Sequence, residues 1–150
     1  MVARANSAEL QFVRDLVSEA RTQRESWART WSDAALESEF ESAALFVAND
    51  KSGAFAGFAL VRAPGNMWEV MLLAVSPPHR RTGTVRRLIA AIDEHRSAGL
   101  SNASKLPLAL EVRADNLAAI GAYEKLGFKK VGRRTGYYDD GVEAILYRLE

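Results

Sequence analysis

The chain has 150 residues, 48% of them hydrophobic, and its 20 Lys and Arg against 19 Asp and Glu leave a net charge of +1; this predicts one globular domain, 1 to 150, with a real core. The absence of cysteine excludes a disulfide framework, a thiolate metal site and a cysteine nucleophile. No apolar run approaches the ~18 residues of a membrane span and MVARANSAEL lacks the apolar core of a signal peptide, so the expected setting is the cytoplasm.

A short strand is expected near residues 2 to 6, then a helix over about 8 to 24 with Leu10, Val13, Leu16, Val17 and Ala20 inward. Ser32 is a good N-cap for a second helix, with Asp33 in its first turn. Strands follow at about 43 to 48 and 54 to 62, separated by the turn-forming Asn49-Asp50-Lys51-Ser52-Gly53. Pro64-Gly65-Asn66 then turns the chain into a strand at 67 to 75. A Pro-Pro break leads to a helix over 83 to 97, on which Val85, Leu88, Ile89 and Ile92 form an i, i+3, i+4, i+7 stripe. Arg80, Arg81, Arg86 and Arg87 surround Gly83 at its mouth with no acid nearby. Unpaired N–H groups at a helix N-terminus attract anions, so this junction reads as a phosphate site.

After a loop over 99 to 106, Leu108, Leu110 and Val112 alternate with Ala109, Glu111 and Arg113, the period of a strand. The polarity breaks at Asp115-Asn116. A helix over 117 to 126 then places Ile120, Tyr123 and Leu126 on one face, and Gly127 stands where helices commonly stop. Segments at 129 to 131, with Arg133, and at 142 to 149 supply two closing strands. The pattern is an α/β mixed sheet with helices on both faces and no repeat or linker. Basic residues gather at 80 to 87 and 125 to 134, while Glu37, Glu39 and Glu41 gather elsewhere, which suits a compact polyanion better than long nucleic acid. His79 and His95 are the only histidines, and neither a metal site nor a Ser-His-Asp triad is expected from them.

Two of these stretches carry a resemblance. Val75-Ser76-Pro77 followed by Arg80-Arg81-Thr82-Gly83-Thr84-Val85 is similar to the [Q/R]-x-x-G-x-[G/A] pyrophosphate motif of the GNAT superfamily of acyl-CoA N-acyltransferases. LEVRADNLAAIGAYEKLGF, with Asn116, Ala119, Tyr123 and Leu126-Gly127-Phe128, resembles the RimI-like ribosomal-protein-alanine N-acetyltransferases within it. So do Tyr137-Tyr138-Asp139-Asp140-Gly141 with Ala144, and Trp31-Ser32 before a short helix. The resemblance covers about residues 27 to 150 and is strongest from 69 to 128. Two positions depart from the pattern: Val85 stands where a small residue is usual, and Thr82 replaces a more usual Arg, Lys or Gly.

The resemblance implies a GNAT fold with splayed central strands and acetyl-CoA as acyl donor, without a metal. It also implies a primary amine as acceptor, a protein N-terminus first and a small-molecule amine or non-catalytic acyl-CoA binding as alternatives. A monomer or homodimer is expected, with no membrane partner. An amine attacks a thioester only when neutral. At pH 7 this costs roughly 1.4 kcal/mol for an α-amine of pKa near 8 and on the order of 4.6 kcal/mol for lysine, so a carboxylate that accepts the proton is useful. Glu111 corresponds to the family's general base. Glu69, in EVMLLAV, competes, since other branches use a glutamate at that strand. Tyr123 corresponds to the acid that protonates the departing thiolate. The backbone of Leu73, Ala74 and Val75 would hold the pantetheine, and Arg80, Arg81, Thr82, Gly83, Thr84, Val85 and Arg86 the pyrophosphate, with a phosphate contact from the Thr82 hydroxyl. Val85 is compatible if it points into the helix–sheet interface. Asn116 would contact the cofactor, its alternative being a plain helix cap; Tyr137, Tyr138 and Trp31 are candidates to line the acceptor groove.

Overall fold

Asn6 opens the first helix with a capping box: its side chain accepts from the Glu9 N–H at 2.8 Å, while Glu9 accepts from the Asn6 N–H at 2.9 Å. In this computed structural model, which describes residues 5–62, 65–98 and 106–150, that helix is α1, Ser7–Thr22. It buries Val13, Leu16, Val17 and Ala20, with Leu10 half-buried. A four-residue helix, α2 (Ser26–Arg29), follows; α3 (Asp33–Ser42) is capped by Ser32 as expected. Most of the strand expected at 2 to 6 lies outside the described residues, and Ala5 and Asn6 are not extended into one. Pro64 and residues 99–105 of the expected turn and loop also lie outside them.

Six strands follow: β1 (Ala44–Asn49), β2 (Phe55–Arg62), β3 (Trp68–Val75), β4 (Leu108–Arg113), β5 (Lys129–Arg134) and β6 (Ala144–Leu149). They form one sheet in the order β1-β2-β3-β4-β6-β5, in which only β3 and β4 run parallel. Val13, Leu16, Val17 and Leu36 cover one face through Phe58, Leu60, Leu72 and Ala74. The other face carries α4 (Thr84–Ser97) and α5 (Leu117–Lys125), where Ile89, Ile92 and Tyr123 meet Ala59, Leu108, Leu110, Val112 and Ile145. Each such buried aliphatic side chain contributes about 1.5–3 kcal/mol. β5 forms one edge of the sheet, exposed along nearly its whole length.

The parallel pair does not run to its end. β3 and β4 register at Trp68↔Leu108, Glu69↔Ala109 and Val70↔Leu110, and no further. At that point β3 bulges: Leu60 of β2 faces Leu72 and Val61 faces Val70, so Met71 is the extra residue. Beyond it β3 stays with β2 to Val75, while β4 stays with β6 to Arg113. The two strands are thus held apart by their outer neighbours, and among the described residues no register joins them beyond Val70 and Leu110. This is the splay that the resemblance implies. Gly57 lets α4 start beside this gap, because a Cβ there would lie 2.9 Å from both the Ala74 carbonyl oxygen and Thr84 Cγ2.

Candidate active site

Pro77–His79 make one 3₁₀ turn after β3, and the chain then enters α4 through two left-handed residues, Arg81 at φ 63° and Gly83 at φ 81°. No side chain caps α4. Among the described residues none of the backbone N–H groups from Arg81 to Arg86 donates to a protein acceptor, so consecutive free amides line the mouth of the helix. Such a nest, on the positive end of a helix, fits a diphosphate. Arg81 and Arg86 are exposed and, among the described residues, without an acidic partner, whereas Arg80 is held by Glu25 at 2.6 Å. Val85 is half-buried against the α4–α5 core, the orientation that leaves the amides clear. Thr82 departs from expectation: its hydroxyl donates to the His79 carbonyl and meets the Thr84 hydroxyl at 3.1 Å, so it closes the loop from within instead of facing a phosphate. Replacing Gly83 by Glu is expected to weaken acetyl-CoA binding more than about tenfold, since the left-handed backbone disfavours a side chain and the carboxylate repels phosphate. Calorimetry on folded variant protein checks this, and unchanged affinity would move the cofactor elsewhere.

Alternation along β4 sends Leu108, Leu110 and Val112 into the α4–α5 core and Glu111 to the opposite face. Glu69 shares that opposite face, being registered with Ala109, two residues before Glu111. The two carboxylates differ in their company. Among the described residues Glu69 has no ion-pair partner, while Glu111 Oε1 accepts from Arg134 Nε at 2.9 Å. Arg134, Ala144 and Arg113 align in one row across β5, β6 and β4, and the small Ala144 leaves the arginine room to reach across. Tyr137 packs against Tyr138 beside this pair, with ring centroids 5.1 Å apart and the rings tilted by 43°. The charge of Glu111, then burial and a hydrogen bond to the same carboxylate, raise the Tyr137 phenol above its usual pKa. The Arg113 guanidinium lies 4.8 Å from the Tyr138 ring centre and is bonded to Asp115 and Asp140, and Arg29 of α2 reaches Asp139 and Asp140. Both tyrosines therefore sit near Glu111. Trp31 instead packs half-buried on the α1–α3 core.

Tyr123 comes from the other side of the sheet. It is 7% exposed, edge-on to Phe128 at 5.6 Å, and burial alone pushes its phenol up to about 12. Among the described residues nothing hydrogen-bonds its hydroxyl, which leaves the proton available to a ligand. Asn116 is the N-cap of α5, its side-chain oxygen accepting from the Ala119 N–H at 3.2 Å.

A chain of Ser76, His79 and Asp50 also appears, with Ser76 Oγ 2.7 Å from His79 Nδ1 and His79 Nε2 2.8 Å from Asp50 Oδ2. The Ser76 hydroxyl has the Ala56 carbonyl at 3.1 Å as well, so its proton has a backbone acceptor and the group ties the 3₁₀ turn to β2 and to the turn after β1. The sequence offered no sign of it, because the aspartate lies 29 residues from the histidine. The Arg134–Glu111, Arg113–Asp140 and Arg29–Asp139 pairs were equally unmarked, their members lying 23, 27 and 110 residues apart. Among the described residues no three His, Asp or Glu side chains group to hold a metal.

The chain has relatives among known proteins. It is 32% identical over 139 residues to [ribosomal protein bS18]-alanine N-acetyltransferase of Escherichia coli (strain K12), covering 90% of each protein. It is also 32% identical over 126 residues to an uncharacterised protein of Mycobacterium leprae (strain TN), 80% of this chain but only 33% of that longer protein. The crystal structure of the ribosomal-protein-S18-alanine N-acetyltransferase from Escherichia coli matches 99% of this chain and 92% of its own, with a TM-score of 0.76 and 28% identity. A family model described as acetyltransferase (GNAT) domain matches residues 12–150. That match begins within α1 and takes in every element framing the gap, and the chain therefore belongs to the GNAT acetyltransferase family, whose acyl donor is acetyl-CoA.

Proposed function

We propose that the protein transfers the acetyl group of acetyl-CoA to the α-amine of a protein or peptide N-terminus in the cytoplasm, by direct attack in a ternary complex. The observation that carries this reading is the parted β3–β4 pair, with Glu111 on one face and the unbonded Tyr123 hydroxyl on the other. A thioester lying in that gap is approached by an amine from the Glu111 side and protonated at sulfur from the Tyr123 side. The amides of 81 to 86 hold the pyrophosphate, and the free edge of Leu73, Ala74 and Val75 extends the sheet onto the pantetheine. One of those edge N–H groups faces the oxygen on which charge develops. Glu111 takes the amine's proton, oriented by Arg134; Glu69 is the second carboxylate on that face. No cysteine exists to carry an acyl intermediate, which favours a single displacement. The relatives named for ribosomal-protein alanine support an N-terminal acceptor, as does the smaller cost of deprotonating an α-amine, about 3 kcal/mol less than for lysine.

A panel of peptides with free N-termini, their Nα-blocked lysine counterparts and small polyamines, assayed for CoA release and product mass, tests this. Free N-termini are expected to react about 10²-fold faster than the blocked peptides, following that difference. Turnover of small amines alone would overturn the acceptor assignment.

A further inference from the structure

Where α1 ends and α2 begins, a pocket of about 310 Å³ is lined by Arg21, Arg24, Glu25 and Arg29. Three of the four are guanidinium groups, and they differ in how far the protein neutralises them. Arg21 gives Nη2 to Asp33 at 2.6 Å, but among the described residues its buried Nε has no acceptor. Arg24 is exposed, sits at a left-handed φ of 59°, and among the described residues its guanidinium meets no acid. Arg29 makes only the longer contacts to Asp139 and Asp140, at 3.3 and 3.5 Å. Glu25, the single acid of the lining, is already bonded to Arg80. Guanidinium forks suit carboxylate and phosphate oxygens.

The pocket's rim ties it to both halves of the reaction. Arg80, bonded to Glu25, leads into the free amides at α4. On the other side Asp140 connects Arg29 with Arg113, which shares a face of β4 with Glu111. The donor's phosphates have the amides of 81 to 86 with Arg81 and Arg86, so the pocket remains for the acceptor. We infer that the Arg21–Arg24–Arg29 pocket binds the side-chain carboxylate of an Asp or Glu placed within the first few residues of the acceptor polypeptide, and so selects acidic N-termini. This rests on the N-terminal acceptor proposed above and adds the sequence class that acceptor belongs to.

Steady-state rates on peptides beginning with Ala, carrying Asp, Ala or Lys in turn at positions two to five, test it with the wild type, Arg24→Glu and Arg24→Asn. Asparagine tolerates the left-handed backbone, and among the described residues Arg24 bonds no other side chain, so both variants should fold. The readout is the ratio of kcat/KM for Asp over Ala at each position, in which any loss of active enzyme cancels. A ratio of about ten or more is expected at one position at least, the scale of a charge-assisted hydrogen bond. It should fall to near one in Arg24→Asn and invert in Arg24→Glu. Equal rates at every position, or a preference that survives Arg24→Glu, would overturn the pocket's role while N-terminal acetylation stands. A rise in the acetyl-CoA KM common to all peptides would overturn it by giving the pocket to the donor's phosphates. Acetylation of small amines but of no peptide would remove the N-terminal reading, and this inference with it.

Discussion

Replacing Glu111 by Gln is expected to lower turnover by about 10²- to 10⁴-fold, the contribution of a positioned general base, while acetyl-CoA affinity stays nearly intact. The amide matches the carboxylate in shape and cannot take the amine's proton. The contacts proposed for the donor lie on β3 and α4, away from the change. Stability should move little, because the Glu111–Arg134 pair is open to solvent, with side chains 33% and 58% exposed, and such exposed pairs contribute about 0.2–1 kcal/mol at most. The deficit should narrow as pH rises past about 8, where solvent deprotonates an α-amine without help. Glu69→Gln should do less: Glu69 shares the face but neighbours the paired part of β3 and β4, not the gap. Rates from about pH 6 to 9, with thermal melts as control, check both variants, and the reverse ranking would move the base to Glu69.

Tyr123→Phe should reduce kcat by about 10²-fold, the lower end for a lost acid, with acetyl-CoA still bound because the ring and its contact with Phe128 survive. The raised phenol sharpens the expectation. With a pKa of about 12 against about 8.5 for an ordinary thiol, complete transfer to a solvated thiolate runs uphill by about 5 kcal/mol. A thiolate formed in the same water-poor gap is destabilised by the same desolvation and becomes more basic, so donation follows the breaking of the C–S bond. Two results follow. The wild-type rate should show no loss from Tyr123 ionising below about pH 11, and a donor with a more acidic thiol should suffer less from the mutation. Equal losses with both donors would reduce the hydroxyl to a positioning contact.

Most of the architecture was legible because periodicity is local. The stripe Val85, Leu88, Ile89, Ile92 and the alternation about Glu111 mark their elements unaided, and Ser32 and Asn116 announce the helices they cap. What sequence could not show depends on partners distant along the chain. The bulge at Met71 is defined only against β2, and the end of β3–β4 pairing only by where β2 and β6 hold their neighbours. Arg134 reaches Glu111 only across β6, through strand register. α2 is too short for a periodic signal, so the pocket beside it went unforeseen. Thr82 carries a suitable donor, but its direction is set by the His79 carbonyl, which no motif encodes.

An open sheet edge normally invites a further strand, from another copy or from any extended chain, because its backbone groups stand unpaired. β5 is such an edge, and four of its six residues are cations: Lys129, Lys130, Arg133 and Arg134. A second β5 laid alongside would bring eight positive charges together, so the strand discourages its own templated growth. The arginine that orients the proposed base is thus also part of the guard against aggregation, and Arg134→Val should promote self-association at high protein concentration as well as slow catalysis.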